Sequence, residues 1–224
     1  MKKITIIVAG GTGSRMQSDL PKQFMELQGL PLLMHTINKF YTYDETMEIR
    51  LALPDSMNET WGMLCKEYNF NVPCKIYPGG ETRYHSVKNC LIDLPSSSIV
   101  AVHDGVRPLV SIETISRCFE LASQNGTAVP AVPVSESIRR VDGEDSVSED
   151  RSNFRLIQTP QIFGSEILLD AYNLPYDESF TDDASVIEKA GYKIYLAVGN
   201  EDNIKITTPK DLQIAKVLFS NQKK

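Results

Sequence analysis

The sequence predicts an α/β fold with a mostly parallel sheet flanked by helices. Three observations carry this. Short apolar runs alternate with longer amphipathic stretches along the chain. The runs are rich in Ile and Val, as strands buried on both faces are. Glycine-rich or charged turns follow several runs, at the strand ends where α/β sheets build ligand sites.

In chain order, the strand candidates are Ile4–Val8, Glu48–Leu53, Lys75–Tyr77, Ile99–Val102, Ala128–Val134 and Lys193–Val198. The helical stretches lie between and after them. Pro31–Tyr41 aligns Leu33, Ile37 and Phe40 on one face. Asp55 can cap Ser56–Tyr68, and Thr82 can cap a helix through Leu91 with Val87 and Leu91 aligned. Ser111 can cap Ile112–Ser123, where Ile115, Phe119 and Ala122 share a face. Thr181 can cap Asp182–Ala190, which Gly191 ends. Thr208 followed by Pro209 starts the last helix, because proline is pre-organised for a first helical turn.

Residues 135–158, "SESIRRVDGEDSVSEDRSNFRLIQ", break the alternation. Two β-prone pieces, Ser137–Val141 and Phe154–Gln158, flank an acidic stretch, and Asp142-Gly143 is a tight-turn signal. The segment reads either as a mobile surface loop or as a hairpin-like arm that needs something to pack on. A partner subunit is one candidate.

At 224 residues the chain suffices for one core and does not require two domains, so 1–224 is read as a single domain. Its net charge of −6 argues against a broad nucleic-acid-binding surface but permits a local cluster for a small anion. No apolar run reaches the ~18–20 residues of a membrane span. The run Ile4–Ala9 is shorter than the ~7–15 residues of a secretory leader's core, so the protein is read as cytoplasmic. Cys65, Cys74, Cys90 and Cys118 form no CxxC pair and read as small buried residues; His35, His85 and His103 are scattered, against a zinc site.

The segment "VAGGTGSRMQSDLPKQF" (8–24) carries the first chemistry. A GxGxxG fingerprint would need glycine where Met16 stands, and no glycine here precedes a lysine as a P-loop requires. Glycines directly after a strand still let backbone N–H groups approach phosphate oxygens. Arg15 and Lys22 then flank the turn, which suits a polyphosphate; the bland alternative is a tight turn with surface charges. "VHDGVRP" (102–108) ends a buried strand, with Asp104 placed to hold Mg²⁺ and Arg107 to meet a phosphate; a local Asp–Arg pair is the bland alternative. In "YPGGETRYHS" (77–86), Gly79 and Gly80 permit close approach, and Glu81, Arg83 and Ser86 can read a base edge or a sugar. Lys205 sits between Ile204 and Ile206, and Thr159 and Thr181 mark polar corners. There is no Ser–His–Asp set, no reactive cysteine and no evident general base. Glycine loops, cations and one metal-capable carboxylate fit electrostatic phosphoryl or nucleotidyl transfer. A phosphate monoester, mostly dianionic at pH 7, would need no base to attack.

In order along the chain, "AGGTGSRM", "LPKQF", "GGETRYHSV", "VHDGVRP", "TPQIF", "FTDDASVIE" and "DNIKITTP" closely resemble the 2-C-methyl-D-erythritol 4-phosphate cytidylyltransferases of non-mevalonate isoprenoid synthesis. The resemblance spans nearly the whole chain. It implies a Rossmann-like nucleotidyltransferase fold and a homodimer formed through a protruding β-arm, here 135–158. It implies CTP and 2-C-methyl-D-erythritol 4-phosphate as substrates and Mg²⁺ as cofactor. By motif position, the backbone of Ala9, Gly10, Gly11, Thr12 and Gly13 would bind CTP, with Arg15 and Lys22 stabilising transition-state charge. Gly80, Glu81 and Ser86 would face the cytosine and Gly105 the ribose. Asp104 would hold Mg²⁺ and orient Arg107, and Lys205 would lie on the reacting phosphate. Arg151, and Ser137 in place of the usual threonine, would reach the neighbouring subunit's sugar phosphate, with Thr159 and Thr181 completing the pocket. Gly10, and "HDGVRP" in place of the frequent "HDAARP", also bring the chain toward the ribitol-5-phosphate cytidylyltransferases of cell-wall polymer synthesis. "FTDDAS", "DNIKITTP" and the compact length favour the methylerythritol family. A non-catalytic nucleotide-binding protein on the same fold is the alternative of a different class.

Overall fold

The computed structural model describes residues 1–11 and 20–221. At its centre lie parallel strands β1 (Lys2–Val8) and β4 (Glu48–Leu53), with β5 (Lys75–Pro78) beyond β4 and β6 (Ser98–Asp104) on the other side of β1. Strand alternation divides their side chains between two cores. Ile7, Ile49, Leu51, Ile99 and Ala101 meet α1 (Leu32–Tyr43), α2 (Asn58–Glu67) and α4 (Ile112–Asn125). The alternate residues Ile4, Ile6, Ala52, Val100 and Val102 meet α3 (Arg83–Cys90), α5 (Ser165–Ala171) and α6 (Asp183–Lys189). The expected helix faces are buried: Leu33, Ile37 and Phe40 on α1, and Ile115, Phe119 and Ala122 on α4. Truncating one of the larger of these residues to alanine removes about 2–5 kcal/mol.

Local chemistry sets most helix ends. The Thr82 and Ser111 side chains accept the N3 amides of α3 and α4, and Gly126 closes α4 in the left-handed conformation at φ 84°. Thr208 receives the Asp211 amide at the start of α7 (Pro209–Asn221). Two expected caps differ. Asp55 lies in a 3₁₀ turn, Asp55–Met57, and α2 starts after Met57 without a side-chain cap. Asp182, not Thr181, caps α6, because Ser185 three residues later completes a reciprocal capping box.

The other half of the eight-stranded sheet is largely antiparallel. β11 (Gln161–Gly164) lies between β6 and β7 (Thr127–Pro133) and runs antiparallel to both. β10 (Arg155–Ile157) pairs antiparallel with the far end of β7, and β12 (Leu196–Val198) pairs parallel with it. β12 is shorter than the expected strand over Lys193–Val198. A two-stranded ribbon, β2 (Glu26–Leu27) with β3 (Leu30–Pro31), precedes α1. Residues 135–158 form a hairpin of β8 (Ile138–Asp142) and β9 (Asp145–Glu149), with Gly143 at φ 59° in its turn, followed by β10. Val141 and Val147 on the hairpin, and Phe154, Leu156 and Ile157 after it, are exposed. Cys90 and Cys118 are buried as expected, whereas Cys65 and Cys74 are half-buried; all four thiols are free. Among the described residues, no helix is long and apolar enough to cross a membrane.

Candidate active site

The β1–β6 register pairs Val8 with Asp104, so the turn after β1 and the "HDG" turn after β6 emerge side by side. The Gly105 amide donates to the Val8 carbonyl at 2.9 Å. A Cβ on Gly105 would lie 3.1 Å from that carbonyl oxygen and from Leu33 Cδ1, so glycine suits this approach. From the β5 end, the Gly80 amide donates to Ser86 Oγ at 2.9 Å, and that hydroxyl donates to the Thr82 carbonyl at 3.0 Å. Three strand-end loops, after β1, β5 and β6, and the first turn of α3 thus rim one depression at the carboxyl ends of the strands.

A cavity of about 240 Å³ occupies the β1 side of this rim. Ala9, Gly10, Gly11, Lys22, Gly80, Glu81, Ser86, Asp104 and Lys205 line it. A Cβ added to Gly11 would lie 3.3 Å from Lys22 Nζ, so that ammonium sits over the glycine turn. The Gln23 amide holds the Ala9 carbonyl at 2.7 Å. Gly105, expected at the ribose, lines neither this cavity nor the one beside it and packs against Val8, Ala9 and Leu33. Thr12, Gly13 and Arg15 lie outside the described residues.

A second cavity, also about 240 Å³, adjoins it on the β11 side. Arg107, Thr159 and Thr181 line it, together with Gln158, Gln161 and Asp182. Asp104, Lys205 and Arg83 line both cavities and form their common wall. Ser137 and Arg151 line neither. Both are exposed near the base of the hairpin, where the Arg151 guanidinium donates to the Ser135 carbonyl.

Asp104 is the electrostatic hub. Its Oδ2 receives Arg107 Nε and Lys205 Nζ, each at 3.1 Å, and its Oδ1 lies 3.6 Å from Arg83 Nε. Burial alone would raise its carboxyl, but the charges of Arg83, Lys205 and Arg107 hold it far below the usual carboxylate range. Arg83 also donates to buried Asp183 at 2.6 Å, and Tyr172 donates to that carboxylate at 2.7 Å. Burial opposes the Arg83 charge, yet Asp183 and Asp104 push its guanidinium upward. Arg107 Nη1 further donates to the Asn203 carbonyl at 2.7 Å, tying the Lys205 loop to the "HDG" turn. The common wall itself holds two cations, Arg83 and Lys205, around the Asp104 carboxylate, with Arg107 joining them from the second cavity and Asp183 behind Arg83.

Arg83 as a bridge between Asp104 and Asp183 was not legible in the sequence. The second acidic residue of "FTDDAS" is its only trace, since Asp183 begins α6 yet is fully buried. His103 is likewise fully buried, and burial pushes its imidazole down to about 4. Among the described residues, no group of three or more His, Cys, Asp or Glu could cage a metal. Mg²⁺ needs only one or two carboxylates when phosphates and waters complete its shell. Asp104 fits that lesser demand, because the 3.6 Å contact with Arg83 is too long for a hydrogen bond and leaves Oδ1 able to take a further ligand.

The family model for 2-C-methyl-D-erythritol 4-phosphate cytidylyltransferase matches residues 3–221. The enzyme of that name from Bacteroides thetaiotaomicron is 49% identical over 219 residues, covering 98% of this chain and 100% of its own. Its counterpart from Porphyromonas gingivalis is 48% identical, covering 98% and 99%. Among solved structures, 4-diphosphocytidyl-2C-methyl-D-erythritol synthase of Anaerococcus prevotii superposes with a TM-score of 0.83 at 25% identity, covering 98% of each chain. The 2-C-methyl-D-erythritol 4-phosphate cytidylyltransferase of Thermus thermophilus superposes at 0.78 with 30% identity, covering 97% of this chain and 98% of its own. By the family model over residues 3–221 and these full-length relatives, the chain belongs to the 2-C-methyl-D-erythritol 4-phosphate cytidylyltransferase family.

Proposed function

We propose that the chain transfers the cytidylyl group of CTP to 2-C-methyl-D-erythritol 4-phosphate across the wall shared by its two cavities. The carrying observation is that wall: Asp104, Lys205 and Arg83 line both cavities and set two cations around one carboxylate at their meeting point. CTP occupies the first cavity, with its base against Gly80, Glu81 and Ser86 and its ribose toward Gly105. Its triphosphate lies on the backbone of Ala9–Gly13. The sugar phosphate occupies the second, against Arg107, Thr159 and Thr181.

A phosphate oxygen of the acceptor attacks the α-phosphorus of CTP, and the bond to the β,γ-diphosphate breaks as pyrophosphate leaves. The attacking group is already an anion, so no general base is needed. Arg15 and Lys22 neutralise the charge that builds on the departing diphosphate, and Lys205 holds the reacting phosphate. Asp104 holds Arg107 and Lys205 in place and offers Oδ1 to Mg²⁺, which when bound would neutralise triphosphate charge.

Ser137 and Arg151 serve the acceptor site of a second subunit, with the hairpin as dimerisation arm. Support comes from their exposure outside both cavities and from the uncovered apolar residues Val141, Val147, Phe154 and Leu156 beside them.

Pyrophosphate release from CTP and Mg²⁺ with each acceptor tests the reading. Turnover with 2-C-methyl-D-erythritol 4-phosphate is expected. Turnover with ribitol 5-phosphate alone would overturn the substrate and keep the reaction class. CTP binding without turnover would overturn both.

A further inference from the structure

His103 lines neither cavity, yet it connects the groups that do. Alternation along β6 sends it to the α1 face, where it packs edge-on against Phe40 with centroids 4.9 Å apart. Both ring nitrogens are engaged. Nε2 lies 3.1 Å from the Arg107 carbonyl oxygen, and Nδ1 lies 3.0 Å from Thr159 Oγ1. A carbonyl only accepts, so Nε2 carries the hydrogen. In the neutral ring Nδ1 then presents a lone pair, and the Thr159 hydroxyl donates to it. The same hydroxyl accepts the Asp104 amide at 3.1 Å. The result is a directional chain from the Asp104 N–H through Thr159 and His103 to the Arg107 carbonyl.

This chain spans the backbone of the "HDG" turn, and the two residues at its ends carry side chains that meet at 3.1 Å. The Thr159 hydroxyl gives its one hydrogen to Nδ1, so toward the second cavity it can accept from a substrate hydroxyl but cannot donate to a phosphate. We propose that His103, in its Nε2–H form, is a positioning residue that acts through Thr159 and the Arg107 carbonyl to aim the Arg107 guanidinium into the acceptor cavity. This rests on the reading of the second cavity as the acceptor site. Arg107 lines that cavity and not the first, so the effect separates by substrate.

Two substitutions test it. His103→Phe keeps the ring and its Phe40 contact but removes both hydrogen bonds. His103→Gln brings an amide N–H toward the position of Nε2 and can restore the bond to Arg107. The expected result for His103→Phe is a KM for 2-C-methyl-D-erythritol 4-phosphate raised by about tenfold, the scale of one hydrogen bond. Its KM for CTP should stay within about twofold, and His103→Gln should recover much of the loss. An unchanged acceptor KM, equal rises in both KM values, or a Gln variant no better than Phe would overturn the inference. Should the variants not fold, ¹⁵N NMR of the wild-type histidine ring at neutral pH decides it. A hydrogen on Nε2 alone is expected, and one on Nδ1 overturns it. A wild type that turns over neither acceptor defeats the functional reading instead, and the ring measurement still judges the chain.

Discussion

Lys205 Nζ stands 3.1 Å from Asp104 Oδ2 and shares that oxygen with Arg107. One carboxylate therefore spaces two cations that would otherwise repel each other. Asp104→Asn keeps the shape and removes the charge. Breaking a buried ion pair typically removes ~3–5 kcal/mol. Arg83 retains Asp183 and Lys205 is partly exposed, so a loss of about 2 kcal/mol is expected from urea unfolding. Turnover should fall by about a hundredfold, because the cations lose their fixed positions.

The glycines around the site are not equivalent. A Cβ on Gly10 would sit 3.6 Å from Ser86 Oγ, an ordinary contact. A Cβ on Gly80 would sit 2.4 Å from His85 Cβ and 2.7 Å from its carbonyl carbon. Gly10→Ala should stay within about 0.5 kcal/mol of wild type. Gly80→Ala should lose ~1–3 kcal/mol and weaken CTP binding. Thermal unfolding and nucleotide titration of the two variants check this, with equal losses as the contrary result.

Both the fold and the site were partly legible in the sequence, for reasons that differ by residue. β4 ends where expected because the apolar residues Leu51, Ala52 and Leu53 continue the strand up to Pro54. β11 was missed, since Gln161–Gly164 is four residues long and owes its place to pairing between β6 and β7. Thr181 and Asp182 are adjacent residues that can both cap, and the choice between them depends on Ser185. The cavity residues Lys22, Gly80, Glu81, Ser86, Asp104, Arg107 and Lys205 were legible because they stand in the short motifs that carry the family resemblance. Arg83 and His103 were not, because their roles lie in contacts with Asp183 and Thr159, far away in sequence.

The cysteines provide a check on the core. Burial pushes the Cys90 and Cys118 thiols up to about 12, which leaves only about one part in ten thousand as thiolate at pH 8. A thiol reagent at pH 8 should leave these two unmodified in the native protein and label all four cysteines in urea. Rapid native labelling of Cys90 or Cys118 would contradict the packing.

The hairpin is testable apart from the chemistry. Deleting 140–150 should give a monomer by sedimentation and raise the KM for the sugar phosphate, with the KM for CTP little changed. A shortened protein with the same assembly state as the intact chain and full activity would remove the arm from the account.

The central claim is that transfer is driven by fixed positive charge acting on the leaving diphosphate. Lys22, whose ammonium sits over Gly11, is the described cation assigned to that task. The most direct measurement is kcat beside CTP affinity for Lys22→Ala. A fall in kcat of ~10²–10³ with CTP affinity changed less than about fivefold is predicted. Equal falls in both would make Lys22 a uniform binding contact and contradict the claim.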